Sequence, residues 1–145
     1  ILNVEGTRVW HYAYSKYLRG RIPLGYVFYG EVYGKFNGRK IQHLTYGLED
    51  TGLRLFAAVN AETLQYLLPQ EFMALCDRHG LPRVEMHLHT FDCNKTFYDM
   101  STAPSETTEA HHREGIVIYS AERRRVFAKV VSPTYLGTDN RTETH

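Results

Sequence analysis

Four side chains stand in settings where they could carry chemistry: Glu31, Phe56, Glu114 and Lys129. Glu31 and Lys129 lie within apolar runs, where a charge is costly to bury without a partner. Glu114 opens the run Glu-Gly-Ile-Val-Ile shortly before Lys129, so both could stand at the mouth of one hairpin. A lysine and a carboxylate placed in this way could hold a phosphate and its divalent cation. A structural ion pair between them would give the same pattern.

Phe56 and Glu31 each allow a plainer interpretation. Phe56 lies in an apolar run, where a ring is most simply part of the core; the alternative is a ring that stacks on a nucleobase, worth about 1–3 kcal/mol per base. Glu31 is either a solvated carboxylate on an edge strand or one that faces a polar ligand. Gly30 and Gly34 beside it would let a ligand approach the backbone closely.

Two further clusters carry weaker signals. His87 and His89 share one strand face and could chelate zinc with Cys76 and Cys93, but neither cysteine belongs to a Cys-x-x-Cys pair, and we disfavour a zinc site. The basic run at 123–125 either contacts a nucleic-acid backbone or is the charged tip of a hairpin.

The elements that must position these residues are mostly predicted strands. Asn37-Gly38 is a strong hairpin signal, and Pro69–His79 is the clearest helix, with Gly80 just beyond its end. The stretch 92–112 is polar and carries only weak turn signals. Strands are predicted at 4–14, 26–33, 41–46, 53–59, 84–89, 115–119 and 126–131. The sequence therefore predicts a strand-dominated α+β domain.

The composition is that of one soluble globular domain. The chain has 145 residues, 43% of them hydrophobic, and its formal charge of +1 gives no global cationic field that would attract nucleic acid. Two cysteines fit a reducing compartment, and no apolar run approaches the roughly 20 residues of a membrane span. We therefore expect no membrane partner and a cytoplasmic location. The common mononucleotide, dinucleotide and hydrolase signatures are absent.

The order of the motifs resembles the motif series of the covalent nucleotidyltransferases, and most closely that of the ATP-dependent RNA ligases of the phage type. The resemblance runs from Asn3 to Leu136. It implies an α+β nucleotidyltransferase core, ATP-grasp-like as in DNA and RNA ligases, with mixed or antiparallel sheets around a nucleotide cleft. Residues 1–145 would form one adenylyltransferase domain, either a truncated catalytic core or a minimal variant. The motifs that carry the resemblance lie at 29–34, 55–56, 113–118 and 127–132.

The resemblance also implies a reaction and its reactants. In such ligases a lysine takes AMP from ATP with Mg²⁺, passes it to a 5′-phosphate end, and a 3′-hydroxyl then displaces it. Glu31 would contact the ribose or a reacting end, and Phe56 would stack on adenine. Glu114 would bind the metal, and Lys129 would hold the α-phosphate. The partners would be RNA strand ends, with DNA ends as the alternative, in the host cytoplasm if the protein is phage-encoded.

The first motif of the family, Lys-x-Asp-Gly-x-Arg/Asn, has its counterpart at residues 3–8, where Asn3 replaces the lysine. An amide nitrogen cannot act as that nucleophile, so self-adenylylation is expected to be blocked. Asn3 then marks an engineered substitution, a natural inactive homologue, or a protein limited to the later sealing steps. The rival function is a non-catalytic nucleotide- or RNA-binding homologue. The same motif assigns nucleotide-binding roles to Val4, Glu5 and Arg8, the last also toward the strand end.

Overall fold

In a computed structural model of the chain, the described residues are 4–42, 47–87, 94–103 and 114–135. They group into two compact units. The first contains Ile1–Met86 together with Ala121–Arg124, and the second contains His87–Ser120 and Arg125–His145. The turn 121–124 therefore belongs to the first unit, although the strands on either side of it belong to the second.

The chain begins with a helix, and the strand predicted for 4–14 is wrong. Helix α1 spans Val4–Ala13 and continues into a π-helical turn at Tyr14–Leu18. Val9 and Ala13 are buried four residues apart, as one helix face requires, and the wider π turn brings Leu18 to the core as well. The β-branched and aromatic composition favours a strand, but this buried spacing overrides it.

The first unit contains a three-stranded antiparallel sheet in the order β2-β1-β3, with β1 at Tyr26–Phe36, β2 at Arg39–Lys40 and β3 at Thr51–Asn60. The Asn37-Gly38 hairpin is confirmed, with φ angles of 49° and 74° that suit a tight turn between β1 and β2. The return strand predicted at 41–46 is wrong at its start, because pairing ends at Lys40; residues 43–46 lie outside the described residues.

Helix α2 spans Pro69–His79 as predicted, and Gly80 ends it at φ 62° in the left-handed region. Its buried face joins α1 and the sheet in one core, composed of Val9, Ala13, Leu18, Val32, Leu53, Leu55, Ala58, Phe72, Cys76 and Leu81. The strand predicted at 84–89 is wrong for 84–87, because none of these residues belongs to a strand and the bridge beside them, between Leu55 and Arg83, is isolated; residues 88 and 89 are not among the described ones.

The second unit contains helix α3 at Asn94–Thr102 and the antiparallel strands β4 at Gly115–Tyr119 and β5 at Phe127–Val131. The hairpin of β4 and β5 is confirmed. Helix α3 was not predicted, because its polar sequence has few of the apolar residues that reveal a period. Within the described ranges, helices hold about as many residues as strands, so there the fold is antiparallel α+β and the prediction of a strand-dominated domain is wrong. No helix among the described residues is long and apolar enough to cross a membrane.

Candidate functional site

A β-bulge at Phe56 shapes the solvent-facing side of the sheet in the first unit. Tyr29 pairs with Ala57, but the next residue, Gly30, pairs with Leu55, so Phe56 is the extra residue on β3. A bulge of this kind shifts the alternation of side chains along the strand by one position.

The burial of β3 shows that shift. Before the bulge the odd-numbered Leu53 and Leu55 face the core, each 1% exposed, and beyond it the even-numbered Ala58 is 1% exposed. Phe56 itself is 37% exposed. The interpretation of Phe56 as a core ring is therefore wrong, and the ring lies where a ligand could reach it.

The side of the sheet opposite the core carries two aromatic rings and a valine, with a charged pair at one end. Val27 and Tyr29 are 48% and 42% exposed, close to the value for Phe56. Glu31 and Arg54 are exposed Cα partners across the two strands, so their side chains share a face. We call this surface the open face; its residues are Val27, Tyr29, Glu31, Arg54 and Phe56.

Glu31 is a solvent-facing acceptor on that face. Within the part of the chain that the structure describes, neither Glu31 nor Arg54 forms an ion pair or a side-chain hydrogen bond. Glu31 can be interpreted either as a solvated carboxylate or as one that faces a polar ligand. Both interpretations need an exposed carboxylate, so the open face is compatible with either. Its carboxylate can accept a hydroxyl hydrogen bond without breaking an existing contact.

The two glycines beside Glu31 do not leave room for a ligand, and that expectation is wrong. A Cβ on Gly30 would lie 2.8 Å from the Arg54 carbonyl oxygen and 2.8 Å from Leu55 Cδ2. A Cβ on Gly34, whose φ is +89°, would fall on the Asp50 carbonyl oxygen. The missing side chains therefore let the protein's own strands approach each other.

Tyr66 supports the open face from the segment between β3 and α2. Its ring stacks on that of Tyr29, with centroids 6.0 Å apart and planes 20° from parallel. An isolated antiparallel bridge to Val59 places the Tyr66 backbone beside β3. Tyr66 was not singled out in the sequence, because the contact depends on tertiary structure rather than on a motif.

Arg124, the middle residue of the basic run, anchors the turn 121–124 within the first unit. Its Nη1 donates to the Tyr66 carbonyl oxygen at 2.9 Å and to Glu71 Oε2 at 2.6 Å, while Nη2 donates to Glu71 Oε1 at 2.9 Å. The guanidinium, and then the Leu68 N–H, hold the pKa of the Glu71 carboxyl below its ordinary value. For Arg124 the interpretation as part of a charged hairpin tip is confirmed.

In the second unit Lys129 is exposed on β5, opposite Val117. No ion pair of Lys129 occurs within the described ranges, so the alternative of a structural ion pair with Glu114 is wrong. Glu114 precedes β4 at the open end of the hairpin, where its carbonyl oxygen accepts from Ser132 N at 2.8 Å. Three residues of strand, about 10 Å, separate Glu114 from the position opposite Lys129. Lys129 is therefore in the middle of the hairpin, exposed to solvent, and the expectation that it stands at the mouth beside Glu114 is wrong.

The structure describes only part of the first motif, residues 3–8. Asn3 lies outside the described residues. Val4 and Glu5 belong to the first turn of α1, and Arg8 is exposed one turn further along. Their functional roles stay predictions.

Cys76 is buried in the core, and burial raises the pKa of its thiol to about 11. A buried neutral thiol is a poor metal ligand. His89 and Cys93 lie outside the described residues. Among those that the structure does describe, no three His, Cys, Asp or Glu side chains are close enough to hold a metal ion.

The first unit thus carries an exposed Glu31 and Phe56 on its sheet, and the second unit carries an exposed Lys129 on its hairpin. The family model described as RNA ligase matches residues 3–131. The chain belongs to the RNA ligase family, as the motif order predicts. No curated protein sequence matches the chain.

Solved structures of Naegleria gruberi RNA ligase have a similar fold. One with PPi matches with a TM-score of 0.66 and 21% identity over 80% of this chain and 35% of that chain. A point mutant with ATP and Mn gives a TM-score of 0.65 and 21% identity over 79% and 34%. Another mutant, with AMP and Mn, gives 0.62 and 23% identity over 78% and 34%. The chain therefore spans about a third of the length of these ligases.

Proposed function

We propose that this chain is the nucleotide-binding part of an ATP-dependent RNA ligase and that the open face binds the nucleoside of ATP. The observation that carries the proposal is Phe56, which the bulge exposes on a strand whose two leucines, Leu53 and Leu55, are buried. The structures of the Naegleria ligase with ATP or AMP and Mn support a nucleotide and a divalent cation as ligands of this fold.

Phe56 would stack on the adenine and Glu31 would accept a hydrogen bond from a ribose hydroxyl. Arg54, the strand partner of Glu31, is two residues before Phe56, about 6–7 Å along the strand. That spacing is close to the distance between a base and its ribose hydroxyls, so one nucleoside can reach both side chains. The charged end of the open face would then orient the ribose.

In the second unit, Lys129 is the proposed contact of the α-phosphate and Glu114 the proposed protein ligand of Mg²⁺. Mg²⁺ is commonly held by one or two carboxylates together with substrate phosphates, so a single carboxylate fits such a site although the described residues form no acidic cluster. The cation, when bound, would offset negative charge on the phosphates. Lys129 would add a positive charge that no partner in the described part of the chain neutralises.

We propose further that Asn3 stands where the family has its nucleophilic lysine. The chain would then bind ATP without forming the covalent adenylate. Sealing of an end that already carries AMP needs no lysine nucleophile. There the 3′-hydroxyl oxygen forms a bond to the 5′-phosphorus, the bond from that phosphorus to the AMP oxygen breaks, AMP leaves, and the hydroxyl proton passes to solvent.

Calorimetric titration with ATP and Mg²⁺ tests the site. The wild-type chain should bind, and Phe56→Ala should weaken binding about tenfold, because a base stack is worth roughly 1–3 kcal/mol. Tyr14→Ala is the matched control, since Tyr14 is a similarly exposed ring, 40%, on the helical segment before β1. Equal losses in both variants, or no binding by the wild type, would overturn the site.

The second candidate is a non-catalytic nucleotide- or RNA-binding homologue, which the amide of Asn3 favours. Incubation of the chain with a pre-adenylylated RNA end and a strand that ends in a 3′-hydroxyl distinguishes the ligase from the binding homologue. Sealed RNA supports the ligase, while ATP binding without sealing supports the binding homologue. The same assay with pre-adenylylated DNA tests the DNA ligase alternative.

A further inference from the structure

Tyr29 is the ring on the open face whose position is most firmly determined. One side of it stacks on Tyr66, and the residue is still 42% exposed. Its hydroxyl has no hydrogen-bond partner within the described ranges. A ring that is packed on one side and bare on the other is already ordered, so a ligand that stacks on it loses little side-chain entropy.

We propose that Tyr29 is a second aromatic contact for the nucleobase, beside Phe56, and that Tyr66 is the residue that positions it. The inference rests on the proposed function, since it takes the nucleotide of the open face as the ligand. It adds a residue that the motif comparison did not assign to the site.

The register of the sheet places a small residue beside both rings. The residue opposite Tyr29 is Ala57, which directly follows Phe56, so only a methyl group projects from β3 at that point. Among the described residues, Phe56 makes no ring contact and Tyr29 makes one only with Tyr66. Neighbouring strands lie about 4.8 Å apart, so a planar group the size of a purine can touch both rings.

Tyr66 can act as a support because its backbone is held on both sides. Before it, Asn60 N donates to the Gln65 carbonyl oxygen at 2.9 Å. At Tyr66 itself the carbonyl oxygen accepts from Arg124, whose guanidinium Glu71 orients through two further bonds. Arg124 and Glu71 are therefore positioning residues that act through Tyr66.

The test is the ATP titration of the full chain with Tyr29 and Tyr66 variants. Tyr29→Ala should weaken ATP binding about tenfold and Tyr29→Phe should restore it, because the ring and not the hydroxyl makes the contact. Tyr66→Leu should weaken binding about threefold and Tyr66→Phe should not, because the stack on Tyr29 needs a ring. Circular dichroism of each variant shows whether the fold is kept.

A spectroscopic readout follows ring contact directly. Trp10 is the single tryptophan and is 45% exposed on α1, so Trp10→Phe removes it with little effect on the core. In that background Tyr29→Trp should show saturable fluorescence quenching with ATP, at concentrations that match the calorimetric titration. Addition of Tyr66→Leu should reduce the amplitude of quenching.

The outcomes separate this inference from the proposed function. If Phe56→Ala weakens ATP binding while Tyr29→Ala does not, and the tryptophan at position 29 is not quenched, the inference is overturned and the site stands. If the folded wild-type chain binds no ATP, the proposed function is overturned, and the role of Tyr29 with it. Weakening in Tyr29→Ala with rescue by Tyr29→Phe, together with quenching, supports the inference.

Discussion

Arg124 and Glu71 form a bidentate ion pair, with N–H···O distances of 2.6 and 2.9 Å, between the turn 121–124 and helix α2. The two residues are 53 positions apart in the chain. The same guanidinium donates to the carbonyl oxygen of Tyr66, and the Tyr66 ring stacks on the ring of Tyr29 on the open face. The Arg124 guanidinium thus holds the backbone of Tyr66, and the Tyr66 ring supports Tyr29, the proposed contact of the nucleobase.

Removal of this ion pair should lower thermal stability modestly. Both side chains are about 40% exposed, and exposed pairs contribute little to stability even when bidentate. Arg124→Ala should reduce the thermal midpoint by a few degrees at most, and Arg124→Lys should recover part of the loss because it keeps the charge but not the fork. Arg19→Ala, which removes an exposed arginine just after the π-helical turn of the first unit, is the control. A loss as large for Arg19→Ala would show that charge, and not this geometry, matters.

The ion pair should also give a pH dependence of known sign. The pKa of Glu71 is lowered in the folded chain, so its contribution to stability is present above the ordinary carboxyl range and is lost as pH falls through the lowered value. Melting curves of wild type and Glu71→Gln should differ at pH 7 and converge as the pH falls below the lowered pKa of Glu71. A difference that grows as the pH falls would contradict the assignment.

Gly34 should tolerate substitution far less than Gly38. Both have positive φ, at 89° and 74°, but a Cβ on Gly34 meets the Asp50 carbonyl oxygen while one on Gly38 meets nothing within 4 Å. Gly34→Ala should destabilise the fold by about 2–3 kcal/mol and Gly38→Ala by about 1 kcal/mol, measured by urea unfolding. Equal losses of unfolding free energy in the two variants would mean that Gly34 does not lie close to Asp50.

Cys76 should be unreactive in the folded chain. Its side chain is fully buried and burial raises the pKa of the thiol to about 11, so almost none of it is thiolate at pH 8. Reaction of Cys76 with a thiol reagent, followed by peptide mapping, should be slow without denaturant and fast in urea. Rapid labelling of Cys76 in buffer would place it outside the core.

Glu31→Gln should weaken ATP binding about tenfold without a change in thermal midpoint, because a hydrogen bond to a charged group is replaced by one to an amide. Glu62→Gln is the control, since Glu62 is another exposed acid of the first unit and lies in the turn after β3. If both variants bind ATP like the wild type, Glu31 does not contact the nucleotide.

Much of the fold could be predicted because its signals are local. Pro69 and Gly80 mark the limits of α2, Asn37-Gly38 marks the β1–β2 turn, and the apolar runs mark β1, β3 and the second hairpin. Helix α1 could not be predicted from composition, since its aromatic and β-branched residues favour strands and its core face is apparent only from Val9 and Ala13.

The candidate site was predictable in part, because some of its signals are also local in the sequence. Motif order pointed to Glu31 and Phe56, and the family match confirms the family that this order predicts. The bulge that exposes Phe56 depends on pairing with β1, and the contacts of Tyr66 with Tyr29 and Arg124 join distant segments. No local pattern records such pairings, so these parts needed the structure.

The most direct measurement is covalent labelling with ATP that carries a radioactive α-phosphate, in the presence of Mg²⁺. We expect no label on the wild-type chain, label on Asn3→Lys, and none on Asn3→Arg, which adds a positive charge but no amine nucleophile. Label on the wild-type chain, or none on Asn3→Lys, would contradict the assignment of position 3 to the nucleophile of an RNA ligase.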